Sequence, residues 1–277
     1  MHTTVSDGTD TPEEIIGKVK EAGIEMFSVT DHDAIKSSEQ VMSVISHDDP
    51  VFVSGIEFSC KDEDGKYHIL GYRYTPVAAG IRQVVEKGHE LRMKKVRARL
   101  DFLRDEFGFS FPGPALHDLL SLDNPGKPHI GNMMVRFGYA DTKEHAIDNF
   151  INKKHFKSAY LRPEEAIAGI IAAGGIPVLA HPSYGSGSEL YMGDDLEHRV
   201  KKLLGFGIRG LEAYYSVFSP KMIRENLELA NKYDLYVTAG SDYHGKNKIV
   251  SLGDTSLDSV SQGDPRVRKF INAVLEG

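Results

Sequence analysis

The chain has 277 residues, of which 40 are acidic and 33 basic, so its net charge is −7 with histidine counted as neutral. Its length is sufficient for one large barrel-type domain or for two ordinary domains, and its 40% hydrophobic and 26% charged content excludes a collagenous, coiled-coil or disordered chain. The negative balance argues against a protein that wraps duplex nucleic acid. Any contact with phosphate groups must therefore come from a local patch or from metal ions.

Cysteine and histidine usage narrows the class further. Cys60 is the only cysteine, which excludes an intrachain disulfide and a cysteine-rich zinc site. The N-terminus is polar from the second residue, and no apolar run approaches the roughly 20 residues of a membrane helix, so we expect a cytoplasmic protein with no membrane partner. The 12 histidines are the unusual count, and several stand beside Asp, Gly or Pro at the ends of predicted strands, which points to metal binding.

The first 75 residues alternate between helix and strand signals. A capping Thr, a Pro at the first helical position and two acids predict a helix from Thr11 to about Ala22. Short apolar runs predict strands over 26–30, 51–58 and 68–74, the last one after a turn at Asp64 and Gly65.

The middle of the chain has a different character. Charged, helical patterns predict helices over 80–107, 116–122, 130–137 and 142–151. After residue 160 the alternation resumes, with strands predicted at 176–180, 210–215 and 236–239 and helices at 195–204, 220–233 and 265–275. We therefore predict one α/β domain made of residues 1–75 and 160–277, with residues 76–159 as a helical insertion, called the insert below.

Polar side chains that can bind metal ions gather at the predicted strand ends. Six follow apolar strands, namely Asp31, His32, Glu57, His181, Asp242 and His244, while His68 begins a strand and His2 and Asp7 lie near the N-terminus. This set is too large for a single four-coordinate zinc, so two or three divalent ions are implied. Imidazole together with carboxylate favours Mn, Fe or Zn over Mg and Ca.

Seven short motifs follow one another along nearly the whole chain. They are HTTVSDG at 2–8, TPEE at 11–14, TDHD at 30–33, GIE at 55–57, HILGY at 68–72, AHP at 180–182 and SDYH at 241–244. In this order they resemble the PHP (polymerase and histidinol phosphatase) superfamily of metal-dependent phosphoesterases. The HTTVSDG and HILGY motifs and the helical insert are most similar to the stand-alone members that act on nucleoside phosphates. The resemblance implies an α/β fold, a distorted (β/α)7 barrel.

The resemblance also implies three metal positions. The first would use His2, Glu57 and Asp242, the second Glu57, His68 and His181, and the third Asp7, His32 and His244. Glu57 would bridge two ions, and Glu57, Asp242 and His181 would be the catalytic centre. The family motif is His-x-His and Met1 occupies the middle position, so the first His and its strand are missing from this chain, and we expect the natural start to lie upstream of Met1.

Clustered divalent ions suit the hydrolysis of a phosphate ester. Such ions lower the pKa of a bridging water and offset charge on the attacking and leaving oxygens, so no side-chain nucleophile is required. The insert offers positive donors for the substrate, for which we single out His129, Arg92, Arg97, Arg99 and Arg136. We predict hydrolysis of a phosphate monoester on a small nucleotide, such as a nucleoside 3',5'-bisphosphate or 5'-monophosphate, or at the 5' end of a short RNA or DNA oligonucleotide.

Two other functions fit part of this pattern. A PHP-like binding or interaction module with an incomplete, inactive metal site would account for the missing first His. A metal hydrolase acting on C–N or C–O bonds would share the ligands, although no Lys stands at a strand end to hold a carbamate bridge.

Three aromatic residues near a predicted strand end have two possible roles. They are either core residues or a stacking surface for a base, namely Tyr214, Tyr215 and Phe218. The remaining histidines are interpreted as surface residues, namely His47, His89, His117, His145, His155 and His198.

Overall fold

The computed structural model describes residues 1–156, 159–185, 189–257 and 263–276. Within these ranges the strands are β1 (Met26–Phe27), β2 (Val51–Phe52), β3 (Gly55–Asp62), β4 (Gly65–Tyr72), β5 (Ile176–Leu179), β6 (Gly210–Tyr215) and β7 (Tyr236–Gly240). The α-helices are α1 (Pro12–Glu21), α2 (Lys36–Val44), α3 (Ala79–Phe107), α4 (Gly113–Leu120), α5 (Lys127–Arg136), α6 (Lys143–Asn149), α7 (Pro163–Ala172), α8 (Gly193–Phe206), α9 (Pro220–Lys232) and α10 (Pro265–Leu275). The predicted α/β class is confirmed.

The strands form two sheets. β1 and β2 pair in parallel, and the second sheet has the order β3-β4-β5-β6-β7. In that sheet β4 is antiparallel to both its neighbours, whereas β5, β6 and β7 run parallel. A parallel bridge between His32 and Glu57 joins the two sheets, and His2 N donates to Tyr243 O at 2.8 Å beyond the end of β7. A closed seven-stranded barrel stays a prediction.

Local sequence signals account for the first helix. Thr11 Oγ1 accepts from Glu14 N at 3.2 Å, and the Glu14 carboxylate accepts from Thr11 N at 2.8 Å. These two bonds form a capping box at the start of α1. The sequence did not predict α2, whose N-cap residue is Ile35 and offers no side-chain bond. Without a capping residue or a proline, the start of that helix carries no local signal.

The predicted strand over 51–58 is two strands in the structure. Residues 51–52 pair with β1, whereas the chain from Gly55 onward pairs with β4, so the backbone changes partner between them. The start of β3 passes close to the segment after β1, since a Cβ on Gly55 would lie 2.0 Å from Ser28 Oγ and 2.5 Å from Val29 O. β4 also begins three residues earlier than predicted, because β3 and β4 form a tight hairpin in which Asp62 pairs with Gly65.

The two largest hydrophobic clusters of the described chain are separate from each other. The larger packs β3 to β7 against α7, α8 and α9, and includes Ile56, Tyr67 and Leu211. The insert has a cluster of its own, centred on the fully buried Met134 and Leu103, and α3 to α6 fall within residues 76–159. The boundaries of the predicted insert stay a prediction. Among the described helices, none is both long and apolar enough to cross a membrane.

Candidate metal centre

The structure brings together the eight side chains that the resemblance implies as metal ligands. His2 and Asp7 lie on the N-terminal loop, His32 after β1, Glu57 in β3, His68 in β4, His181 after β5, and Asp242 and His244 after β7. Their exposed fractions range from 1% to 17%. The convergence follows from topology, because the carboxyl ends of β5 and β7 meet at one edge of the sheet while β3 and β4 run past that edge.

Glu57 is at the centre of this group. Its Oε1 lies 3.0 Å from His68 Nδ1 and 3.3 Å from His181 Nε2. Its other oxygen, Oε2, lies 3.0 Å from His2 Nε2 and 3.4 Å from His32 Nδ1. Each carboxylate oxygen therefore faces a different pair of imidazoles, as a carboxylate that bridges two cations would.

The remaining donors extend the group on the side of His2. Asp242 Oδ1 lies 3.2 Å from His2 Nε2, and Asp7 Oδ1 lies 3.4 Å from His244 Nε2. Donor atoms of His2, Asp7, His32 and His244 all lie within 4.8 Å of one another. The third set expected from the resemblance is thus brought together, with His2 close enough to be shared.

The donor set fits divalent cations. The ring nitrogens His68 Nδ1 and His181 Nε2 face each other at 3.2 Å, and His32 Nδ1 is buried without a hydrogen bond. Burial lowers the pKa of His32 to about 3, so this imidazole is a neutral donor at pH 7. Burial alone would raise the pKa of Glu57, but the charge of His68 and hydrogen bonds with His181 and His2 hold it well below its usual range.

In the metal-free protein the pKa of His2 is raised, whereas that of His32 is lowered. Burial alone would lower the pKa of His2, but hydrogen bonds with Asp242 and Glu57 raise the pKa to about 9. A protonated His2 thus offsets part of the carboxylate charge. Cations at these positions would replace that proton, because a metal ligand must be deprotonated.

Two of the eight residues have unusual backbone conformations. His181 has φ 28° and Asp242 has φ 53°, both in the left-handed region that residues other than glycine rarely adopt. The His181 conformation is supported by Glu212 in β6, whose buried carboxylate accepts from His181 N at 2.8 Å. Burial raises the pKa of Glu212 to about 7. The sequence analysis missed Glu212, since a single acid inside an apolar strand carries no motif.

Asp31 anchors the N-terminal loop rather than facing the other donors. Its fully buried carboxylate accepts from Thr3 N and Thr3 Oγ1, both at 2.8 Å, and from Ser6 Oγ at 2.5 Å. These bonds fix the loop that carries His2 and Asp7.

The outer oxygen of Asp242 has its own partners. Asp242 Oδ2 accepts from Tyr215 OH at 2.9 Å and from Lys248 Nζ. Tyr215, Tyr214 and Phe218 are all buried, which favours the core interpretation over a stacking surface. Tyr215 therefore orients Asp242.

Buried and partly buried cations of α3 lie beside the candidate metal centre. Arg92 Nη2 pairs with Asp33 at 2.5 Å, next to His32 in the sequence. Lys95 Nζ lies 3.8 Å from the ring centroid of Tyr160. Burial, and then the charge of Arg92, lower the pKa of Lys95 to about 7.

Two further cations complete this group. Arg99 is buried over the ring of Phe156, and burial lowers its pKa to about 10. Lys127 Nζ donates to Asn152 at 2.7 Å, and burial lowers its pKa to about 8. We call Arg92, Lys95, Arg99 and Lys127 the basic cluster. Within the described chain, Arg92 is the only one of these four that forms an ion pair with a carboxylate.

The other residues expected to bind substrate differ in their burial, since His129 is partly buried whereas Arg97 and Arg136 are exposed. His129 Nδ1 accepts from Gly126 N at 3.0 Å. Burial lowers the pKa of His129, and the charges that act on it are those of Asp7 and Arg92. Arg97 and Arg136 are exposed, and neither contacts the basic cluster within the described residues. Sequence reasoning missed Lys127, which has no motif and comes close to α3 only in the fold.

The other six histidines stay apart from the metal centre. His47, His117, His155 and His198 are exposed and His89 and His145 are partly buried. None of them joins a group of potential ligands in the part of the chain that the structure describes.

Comparisons with known proteins identify the fold and the reaction type. No family model matches the chain. It is 28% identical over 262 residues to the 5'-3' exoribonuclease Rnm of Salmonella typhimurium, covering 91% of this chain and 86% of the relative. A solved structure from Bifidobacterium adolescentis, named a metal-dependent phosphoesterase, has a TM-score of 0.81 at 25% identity and covers 98% of this chain and 94% of that chain. The chain is a metal-dependent phosphoesterase.

A further relative has a related activity. The 3',5'-nucleoside bisphosphate phosphatase of Chromobacterium violaceum is 24% identical, covering 88% of this chain and 85% of the relative. The resemblance drawn from the seven motifs is confirmed, and so is the expectation of an enzyme rather than an inactive binding module. The phosphoesterase motifs and the converging donors together indicate divalent metal ions as cofactors.

Proposed function

We propose that this phosphoesterase removes a phosphate monoester from a nucleotide that carries a second phosphate, such as a nucleoside 3',5'-bisphosphate or the 5' end of a short oligonucleotide. The proposed ligands of two or three divalent ions (Mn, Fe or Zn) are His2, Asp7, His32, Glu57, His68, His181, Asp242 and His244. When bound, such ions lower the pKa of water and hold phosphoryl oxygens.

The chain's own residues set the shape of this site. Glu57 separates two sets of imidazoles by presenting one oxygen to each. Asp31 and Glu212 hold the backbones of the N-terminal loop and of His181. The donors are therefore fixed before a substrate arrives, which is the condition for efficient electrostatic catalysis.

The basic cluster is the observation that supports a second phosphate. Lys95, Arg99 and Lys127 are buried or partly buried cations that lack a described carboxylate partner, and their charges oppose one another. Such an arrangement costs folding free energy unless an anion occupies it. A phosphate that accepts from Arg99 and Lys95 would offset that cost. His129, whose pKa is affected by the charges of both Asp7 and Arg92, is a further candidate donor to the substrate.

The names of two relatives favour a nucleotide over other substrates that carry two phosphates. The Salmonella relative is named an exoribonuclease, and the Chromobacterium relative a nucleoside bisphosphate phosphatase. Both names describe substrates that carry more than one phosphate. In the expected reaction water attacks one phosphorus, the bond from that phosphorus to the sugar oxygen breaks, and inorganic phosphate and the protonated sugar hydroxyl are released. The basic cluster would hold the second phosphate meanwhile.

The test is phosphate release with Mn²⁺ from adenosine 3',5'-bisphosphate and from 3'-AMP. The wild type is compared with Arg99→Met and with a matched control, Arg97→Met, two positions away on the exposed side of α3. We expect wild type and Arg97→Met to prefer the bisphosphate by at least about tenfold in kcat/KM, since one charged hydrogen bond contributes about 1.5–3 kcal/mol. Arg99→Met should lose most of that preference.

Two results would contradict the proposal. Equal kcat/KM values for the two substrates in the wild type would exclude a second-phosphate subsite. Loss of the preference in Arg97→Met but not in Arg99→Met would move the subsite to the opposite side of the helix. Asp242→Ala is the inactive control for the metal centre, and its thermal unfolding without metal checks that it folds.

A further inference from the structure

We propose that Lys143 of the insert acts through Asn247 to position Asp7, and thereby sets the metal affinity of the Asp7, His32 and His244 group. Lys143 and Asn247 are positioning residues in this inference, and neither is a proposed ligand. The inference rests on the ligand assignment of the proposed function.

Asn247 contacts the backbone of two proposed ligands. Its Nδ2 donates to the carbonyl oxygen of Asp7 at 2.8 Å, and its own backbone N–H donates to His244 O at 3.3 Å. Asp7 and His244 meet at 3.4 Å through Oδ1 and Nε2. One asparagine therefore links the backbones of the N-terminal loop and of the segment after β7.

Lys143 fixes the orientation of that asparagine. Its Nζ donates to Asn247 Oδ1 at 3.3 Å and to Asn247 O at 3.2 Å. An ammonium group can only donate, so it holds the amide oxygen toward Lys143 and leaves Nδ2 to donate to Asp7. Lys143 is itself held in place, because a Cβ on Gly131 of α5 would lie 3.2 Å from its Cγ.

The effect should be confined to one group of ligands. Asp31 holds the Thr3 and Ser6 side of the N-terminal loop, whereas Asn247 ties the backbone of Asp7 to the segment after β7. The oxygens of Glu57 receive no contact from Asn247 within the described chain. Residues that orient a ligand from behind commonly change metal affinity 10- to 100-fold.

The experiment is a calorimetric titration of the metal-free full chain with Mn²⁺. Lys143→Met and Asn247→Ala should each weaken one equivalent about 10- to 100-fold and leave the others within twofold of the wild type. Lys153→Met, which removes an exposed lysine of the same insert, is the matched control and should bind like the wild type. Urea unfolding in EDTA should give the same midpoint for Lys143→Met as for Lys153→Met.

Several outcomes overturn the inference. They are equal weakening of every equivalent, no weakening of any, or an altered unfolding midpoint in EDTA that accounts for the weaker binding. A wild type that binds only two equivalents also overturns it. In that case phosphate release by the same sample would show that the proposed function stands while the third group does not bind metal.

Discussion

Lys95 gives the sharpest prediction, because its charge is unfavourable for folding. Its side chain is 7% exposed, and burial together with Arg92 lowers its pKa from 10.5 to about 7. We expect Lys95→Met to make the metal-free protein more stable at pH 6 and less able to bind phosphate. Methionine has a similar length and no charge, so it fits the space without the cost of desolvation.

The magnitude follows from the pKa shift. Each unit corresponds to about 1.4 kcal/mol, so a charged Lys95 costs on the order of 5 kcal/mol in the folded state. The Tyr160 ring, whose centroid lies 3.8 Å from Lys95 Nζ, offsets about 2 kcal/mol of this cost through a cation–π contact. Methionine at position 95 would lose that contact. Allowing for relaxation of the site, we expect a net gain of about 2 kcal/mol in the free energy of unfolding at pH 6.

The pH dependence has a definite sign. Below pH 7 Lys95 is protonated in both states and the full cost is present. Between pH 7 and 10.5 the folded protein releases the proton while the unfolded chain keeps it, so the cost disappears and stability rises with pH. The difference between Lys95→Met and the wild type should therefore be largest at pH 6 and smaller at pH 9.

Urea unfolding at pH 6 and at pH 9 measures this difference, with Lys94→Met as the control because Lys94 is exposed on the same helix. Inorganic phosphate should raise the urea midpoint of the wild type at pH 6 more than that of Lys95→Met. The reasoning is refuted if Lys95→Met is less stable than the wild type at pH 6, or if the difference is the same at both pH values.

Two other predictions concern the scaffold around the site. Gly55→Ala should lower the free energy of unfolding by about 3 kcal/mol or more, because its Cβ would meet Ser28 Oγ and the Val29 carbonyl; an unchanged melting temperature would contradict the close approach. Tyr215→Phe removes the bond to Asp242 Oδ2, so Mn²⁺ affinity should fall about tenfold while stability changes by about 1 kcal/mol or less, as measured by calorimetry and thermal unfolding. Unchanged Mn²⁺ binding would show that Asp242 is held without Tyr215.

Short-range patterns were enough to predict much of this protein. The capping box at Thr11 determines where α1 begins, because its bonds close within four residues. The order of the motifs, through the resemblance that it carries, named the eight side chains that converge in the structure. Only His181, Asp242 and His244 among them follow parallel strands of the five-stranded sheet. The same approach missed α2, which has no capping side chain at Ile35, and the partner change before Gly55, which depends on a neighbouring strand.

Tertiary structure alone decided which cations of the insert are buried beside the candidate metal centre. α3 carries cations on every side, so its sequence does not separate Arg97 from Arg99, although two residues along a helix turn the side chain by about 200°. Only the packing of α3 against Tyr160 and Phe156 buries Arg99 and leaves Arg97 in solvent. Lys127 joins them from a separate helix. Desolvation and mutual repulsion depend on distances between such remote segments, and these distances exist only once the chain has folded.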